Sequence, residues 1–115
     1  MQSKDLSLIG FALKGRKVVF GLNQIKSCKK RIYLMIICHT ASADTCSAAL
    51  SLAERKGVMV LRTRGAPLED IVNKPNCKSV AITDEELASA IMKHVTYQFE
   101  IIGREDKNER EGKEI

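Results

Sequence analysis

Gly21-Leu22-Asn23-Gln24 is the stretch of this chain whose residue types and spacing best suit recognition chemistry. It follows the β-like run Val18-Val19-Phe20 and opens a helical stretch ending near Lys30. A helix start carries unpaired N–H groups and a partial positive charge, so it favours anions. Asn23 and Gln24 add side-chain amides, each with donors and an acceptor that can bond the edges of nucleic-acid bases. Seven basic residues lie between Lys14 and Arg31 with no acid among them: Lys14, Arg16, Lys17, Lys26, Lys29, Lys30 and Arg31. Arg62 and Arg64 flank a second basic stretch at a strand end, where they can clamp phosphate. This chemistry is that of a phosphate-rich, base-bearing partner.

Other chemistries find less support. Cys28, Cys38, Cys46 and Cys77 form no CxxC pair, and His39 and His94 are the only histidines that could join them at a metal. Free thiols in a reducing compartment are the expectation. His39 follows a strand, a usual place for catalytic residues, but has no evident base, nucleophile or metal beside it. Ser42 reads as a helix cap, since no Gly-x-Ser-x-Gly turn surrounds it. No phosphate-loop or dinucleotide glycine pattern occurs. The few aromatic residues do not alternate with basic ones, so a stacking platform is not expected. No catalysis, cofactor or metal is predicted.

The whole composition agrees. The chain has 115 residues, enough for one core, and 44% are hydrophobic. Its net charge is +5, which favours a polyanionic partner. Residues 103–115 carry four basic and five acidic side chains and no apolar period, so a disordered tail after a single domain over 1–102 is expected. No apolar run reaches the roughly 18 residues of a membrane helix, and the N-terminus lacks a signal-peptide pattern. The expected place is the cytoplasm, away from membranes.

Strand and helix signals alternate. Asp5 to Lys14 has apolar residues at helix spacing, with Gly15 as its cap and Gly10 inside, where a close packing contact would explain a glycine. Ile32 to Cys38 is apolar throughout, as a strand covered on both faces should be. A helix capped by Ser42 or Asp44 runs to Lys56, with Cys46, Ala49, Leu50 and Ala53 inward, and Gly57 stops it. Val58 to Leu61 is a third strand, 62–65 a loop, Leu68 to Asn73 a short helix and Val80 to Ile82 a fourth strand. Thr83-Asp84-Glu85-Glu86 reads as a capping box with Thr83 as cap. The helix behind it turns Leu87, Ala90, Ile91, His94 and Val95 inward. The pattern predicts a three-layer α/β/α sandwich around a four-stranded mixed sheet. Tyr97 to Ile102 either adds a strand or packs on the body.

This order resembles the kink-turn RNA-binding ribosomal proteins, the superfamily of archaeal large-subunit protein L-seven-Ae and eukaryotic L-thirty-e. The resemblance covers about residues 4–95 and rests most on Gly21-x-Asn23-Gln24. The ending Val80-Ala81-Ile82-Thr83-Asp84-Glu85 looks closest to small bacterial members. It implies the L-thirty-e-like fold, with Asn23 and Gln24 bonding base edges at the sheared G·A pairs of a kink-turn. Gly21 and Leu22 would let the backbone approach the RNA, and Lys17, Lys26, Lys29 and Lys30 would hold phosphates. The resemblance also implies contacts from His39-Thr40 and from the loop Lys74 to Cys77. The chain has Phe20 where the archaeal type often has a basic residue, Ser27 where a lysine is common, and Glu69 after Leu68 where glycine is frequent.

The function expected is therefore a small, non-catalytic, ribosome-associated protein that reads a structured RNA. The alternative, motivated by Phe20, Ser27 and Glu69, is a protein-interaction module of the same fold that has lost RNA reading.

Overall fold

The computed structural model describes residues 4–102. The elements in chain order are α1 (Lys4–Lys14), β1 (Val18–Phe20), α2 (Leu22–Ser27), β2 (Leu34–Ile37), α3 (Ala43–Lys56), β3 (Met59–Thr63), α4 (Leu68–Val72), β4 (Ser79–Ile82), α5 (Glu85–Lys93) and β5 (Phe99–Ile102). The expected tail over 103–115 lies outside the described residues. Among those described, no helix is long and apolar enough to cross a membrane.

The strands form a five-stranded mixed sheet in the order β1-β4-β2-β3-β5. Only β2 and β3 run parallel; β1 with β4, β2 with β4 and β3 with β5 are antiparallel. The sheet thus has one strand more than the four expected. Phe99–Ile102 pairs in register with Val60–Thr63, and the buried Phe99 anchors the addition.

Residues of β2 and β4 are buried on both sides, which is why Ile32 to Cys38 is apolar without alternation. Alternate residues serve opposite faces. Leu34, Ile36, Cys38, Val80 and Ile82 face Leu8, Ile9 and Ala12 of α1, Leu68 of α4 and Ile91 of α5. Met35, Ile37, Val60 and Ala81 face Ile25 of α2 and Ala49, Leu52 and Ala53 of α3. Each buried Leu, Ile, Val or Met among them contributes roughly 1.5–3 kcal/mol.

Several local expectations are corrected. The helix α2 stops at Ser27, so Lys29 and Lys30 sit in a loop and not on its face. The strand β3 runs on to Thr63, which puts Arg62 and Thr63 in the sheet. Pairing with β5 extends it past the apolar residues. In α3 the cap is Ser42, whose hydroxyl accepts Thr45 N–H at 3.1 Å. Leu52, which the expected inner stripe omits, is buried while Cys46 and Leu50 are only half-buried. The cap of α5 is Asp84, whose carboxylate accepts Leu87 N–H at 2.9 Å; Thr83 belongs to the strand end. Ala88 is buried there, and His94 is exposed.

The end of α1 follows a different residue from the one expected. Arg16, not Gly15, takes the left-handed conformation, with φ 58°. Lys17 N–H bonds Ala12 C=O at 2.8 Å and Arg16 N–H bonds Leu13 C=O at 3.2 Å, closing a Schellman turn. The close contact expected at Gly10 is also absent: nothing lies within 4 Å of where its Cβ would be.

A buried carboxylate ties the two ends of the described chain. Asp5 is fully buried; its Oδ2 accepts the N–H and the hydroxyl of Thr96, each at 2.9 Å, and Oδ1 accepts Leu6 N–H. This fixes α1 against the turn that launches β5.

Two stability outcomes follow, both readable by denaturant unfolding. Gly10→Ala should stabilise the fold by about 0.5–1 kcal/mol, because it removes helix-interior glycine entropy without a clash. Asp5→Ala should cost about 1–3 kcal/mol, because it removes the shared acceptor of the N–H and hydroxyl of half-buried Thr96.

Candidate nucleic-acid interface

The strand directions bring several chain segments to one end of the sheet. The C-terminal ends of β1, β2 and β3 meet the N-terminal ends of β4 and β5 there. Gly21 N–H bonds Ser79 C=O at 2.9 Å, Cys38 N–H bonds Lys78 C=O at 2.9 Å, and Arg64 N–H bonds Gln98 C=O at 2.7 Å. These bonds place the Gly21 turn, the His39-Thr40 turn and the 73–78 loop side by side.

At Gly21 the backbone has φ 85° and ψ 147°, a region that side-chain-bearing residues rarely adopt. It turns the chain from β1 into α2 within one residue. Nothing lies within 4 Å of where a Cβ would point, so the turn is open to solvent. Among the described residues no side chain caps the first turn of α2. Ile25, fully buried, and half-buried Leu22 pin the helix to the sheet, while Asn23 and Gln24 are exposed on the outside. Leu22 is therefore an anchor, with only its backbone at the edge.

Lys74 joins this group. Its Nζ lies 5.1 Å from the centre of the Phe20 ring, the residue before Gly21. A cation over an aromatic face is held there by roughly 0.5–1 kcal/mol at an exposed site. Phe20 thus positions a lysine from another loop.

The remaining cations are sorted elsewhere. Lys17 C=O accepts Thr83 N–H at 2.9 Å, and Tyr33 N–H bonds Ile82 C=O at 2.9 Å. Lys17 and the 29–33 segment therefore converge on the other end of β4. Four residue steps along β1 separate Lys17 from Gly21, about 13 Å. Lys29 and Lys30 are exposed in that segment, and Arg31 stacks over Tyr33 at 5.4 Å. Lys26 lies exposed in the last turn of α2, between the two ends. The basic run is continuous in sequence and split in space.

Arg62 and Arg64 lie at the Gly21 end, but three strand spacings away across the sheet, about 14 Å. Both meet Glu100 on β5. Arg62 Nε is 3.2 Å from Glu100 Oε2, and an Arg64 terminal nitrogen is 3.6 Å from Oε1. The buried Nε–H of Arg62 is not aimed at an acceptor, so that contact is Coulombic and not a hydrogen bond. Arg62 also lines an open groove of about 500 Å³ with His39, Cys46 and Leu50. The expected phosphate clamp is thus partly neutralised by an acid far away in sequence.

His39 and Cys38 belong to a local hydrogen-bond cluster. Thr63 Oγ1 accepts the His39 backbone N–H at 2.8 Å and meets its Nδ1 at 2.8 Å. An oxygen already accepting the amide can give its own proton to Nδ1, which fits the tautomer with hydrogen on Nε2. Burial pushes the Cys38 thiol up, but hydrogen bonds from Thr40, Leu68 N–H and Thr63 outweigh it and hold the thiol below its usual range. Cys38 is 1% exposed, at the wall of the groove that Arg62 lines. Burial pushes the Cys77 thiol up. All four cysteines are unpaired, and among the described residues no group of three potential ligands is placed to hold a metal ion.

Sequence reasoning missed Lys78 and Thr63 and read Glu69 only as a sign against RNA reading. Lys78 Nζ donates to Thr40 Oγ1 at 2.8 Å and to Glu69 Oε1 at 3.3 Å. These partners are 38 and 9 residues apart in sequence. No helix or strand period relates such positions, so no sequence signal pairs them.

No protein-family model matches the chain, and no curated protein matches it in sequence. Among solved structures it is similar to a protein with unknown function from Bacillus halodurans, at 19% identity and a TM-score of 0.72. The match covers 80% of this chain and 96% of that one. At that identity the likeness shows the mixed α/β fold alone.

Gly21→Ala tests the turn. With open space around the position, its cost is backbone strain alone, about 1–3 kcal/mol in denaturant unfolding.

Proposed function

We propose that the chain is a small, non-catalytic RNA-binding protein that reads a bent, internally looped RNA of kink-turn type. In this reading the fold is the L-thirty-e-like sandwich and the protein acts in the cytoplasm, on ribosomal or other structured RNA. The observation that carries the proposal is the open Gly21 turn. It delivers two exposed amide side chains, Asn23 and Gln24, to the edge where Lys74 is held over Phe20. The element order that carries the resemblance, from α1 through the Gly-x-Asn-Gln helix to β4 and α5, is also the order of the fold.

The division of labour follows from chemistry. The amides would bond base edges, and backbone N–H groups beside them can meet phosphate or sugar. Lys74 and Lys26 are the phosphate-holding residues nearest that edge. Lys17, Lys29 and Lys30 form a separate basic end that a longer RNA arm would have to reach. Arg62 and Arg64 contribute least, because Glu100 already offsets their charge.

Binding to a kink-turn RNA, and to the same RNA with its G·A pairs replaced, tests this over a salt series. The wild type should prefer the first. Asn23→Ala should lose about 1–3 kcal/mol of that preference. Lys74→Ala should weaken both RNAs alike and reduce the salt slope by about one unit. Equal, weak, salt-sensitive binding to both RNAs by the wild type would overturn the base-reading role. A single stoichiometric protein partner, retained after nuclease treatment, would then favour the protein-interaction module.

A further inference from the structure

Glu69 is out of place on an edge meant for a polyanion. Its carboxylate sits among Thr40, Asn76 and Lys78, beside the loop that carries Lys74. By charge alone it should repel RNA, so its presence calls for a compensating role.

The contacts supply one. Four groups of the 73–78 segment converge on Glu69. Its backbone C=O accepts the N–H groups of Asn73 and, at 3.0 Å, Lys74. Its Oε2 accepts Asn76 N–H at 2.8 Å, and its Oε1 pairs with Lys78 Nζ at 3.3 Å. The segment needs such holding. Asn73 and Asn76 both take the left-handed conformation, at φ 56° and 61°, which asparagine tolerates but does not favour. Lys78 then reaches past Glu69 to Thr40 Oγ1 at 2.8 Å, so the same carboxylate ties the loop to the β2–α3 turn.

We propose that Glu69 is the positioning residue of this edge. It pre-forms the 73–78 loop and locks it to Thr40, so that Lys74 already stands beside Gly21 when an RNA arrives. The proposal rests on the RNA-binding reading. A pre-ordered loop spares the ordering cost that a free one would charge against binding. Glu69 thus trades an unfavourable charge for a fixed shape.

The two effects have opposite signs, and that makes the idea testable. Wild type, Glu69→Gln, Glu69→Ala and Lys78→Met are compared in two measurements. One is the exchange rate of the Asn76 amide by NMR, without RNA. The other is affinity for a kink-turn RNA and for a plain duplex of equal length. Glu69→Gln keeps an acceptor for Asn76 N–H and removes the charge, so both readouts should stay near wild type or show tighter binding. Glu69→Ala should speed Asn76 exchange and weaken kink-turn binding about tenfold, the scale of re-ordering a few loop residues. Duplex binding should not weaken, since a repelling charge is gone. Lys78→Met, which leaves the Asn76 bond, should fall between the two in exchange.

The proposal is overturned if Asn76 exchange in Glu69→Ala matches wild type. It is equally overturned if exchange rises while kink-turn affinity holds or improves, because the charge then outweighs the positioning. Failure of the underlying reading appears in the wild-type arm alone, as equal binding to kink-turn and duplex, and takes the proposal with it.

Discussion

The backbone ladder of β4 is the constraint on which the candidate edge depends. Ser79–Ile82 lies between β1 and β2, antiparallel to both and buried along its length. Its two ends set what gathers where. At Ser79 and Lys78 its carbonyls take the N–H groups of Gly21 and Cys38; at Ile82 and Thr83 it meets Tyr33 and Lys17. A buried backbone group without a partner is costly, so these pairings leave little freedom. The Gly21 turn stands beside the 73–78 loop because the ladder leaves it nowhere else to go.

Electrostatics in this fold is a matter of sorting. The chain brings an excess of positive charge, but the tertiary structure assigns acids to particular cations. Glu100 on β5 draws Arg62 and Arg64, and Glu69 at the start of α4 draws Lys78. Such half-exposed pairs are worth about 1 kcal/mol or less in stability. Their larger effect is positional: they decide which basic groups stay available at the surface. Lys74 is kept by an aromatic ring instead of an acid, which holds its position without offsetting its charge.

Much of the architecture was legible in the residues. The unbroken apolar run around Met35 marks a doubly covered strand, and Gly57 ends α3 in the left-handed conformation that glycine permits. What was misplaced has local physical causes. The β3 boundary depends on β5, whose pairing carries the strand through Arg62 and Thr63. The choice between Thr83 and Asp84 as cap turns on one residue of backbone geometry. Gly10 invited a packing explanation that the open space around it does not support.

For the candidate site, the sequence by itself determined the ingredients. It supplied a glycine where the chain must turn at positive φ, two amides after it, and a surplus of cations with no acid nearby. Those features are local, set by residue type and spacing within a few positions. Only the tertiary structure decided which cations share an edge with the amides. Lys17 and Gly21 are neighbours in sequence and sit at opposite ends of a strand, whereas Lys74 is far along the chain and stands beside Phe20. The same holds for Glu69, Lys78 and Thr40, which strand order brings together. Strand pairing fixes distances between segments whose separation in sequence carries no period, so these neighbours could not be read until the sheet was in place.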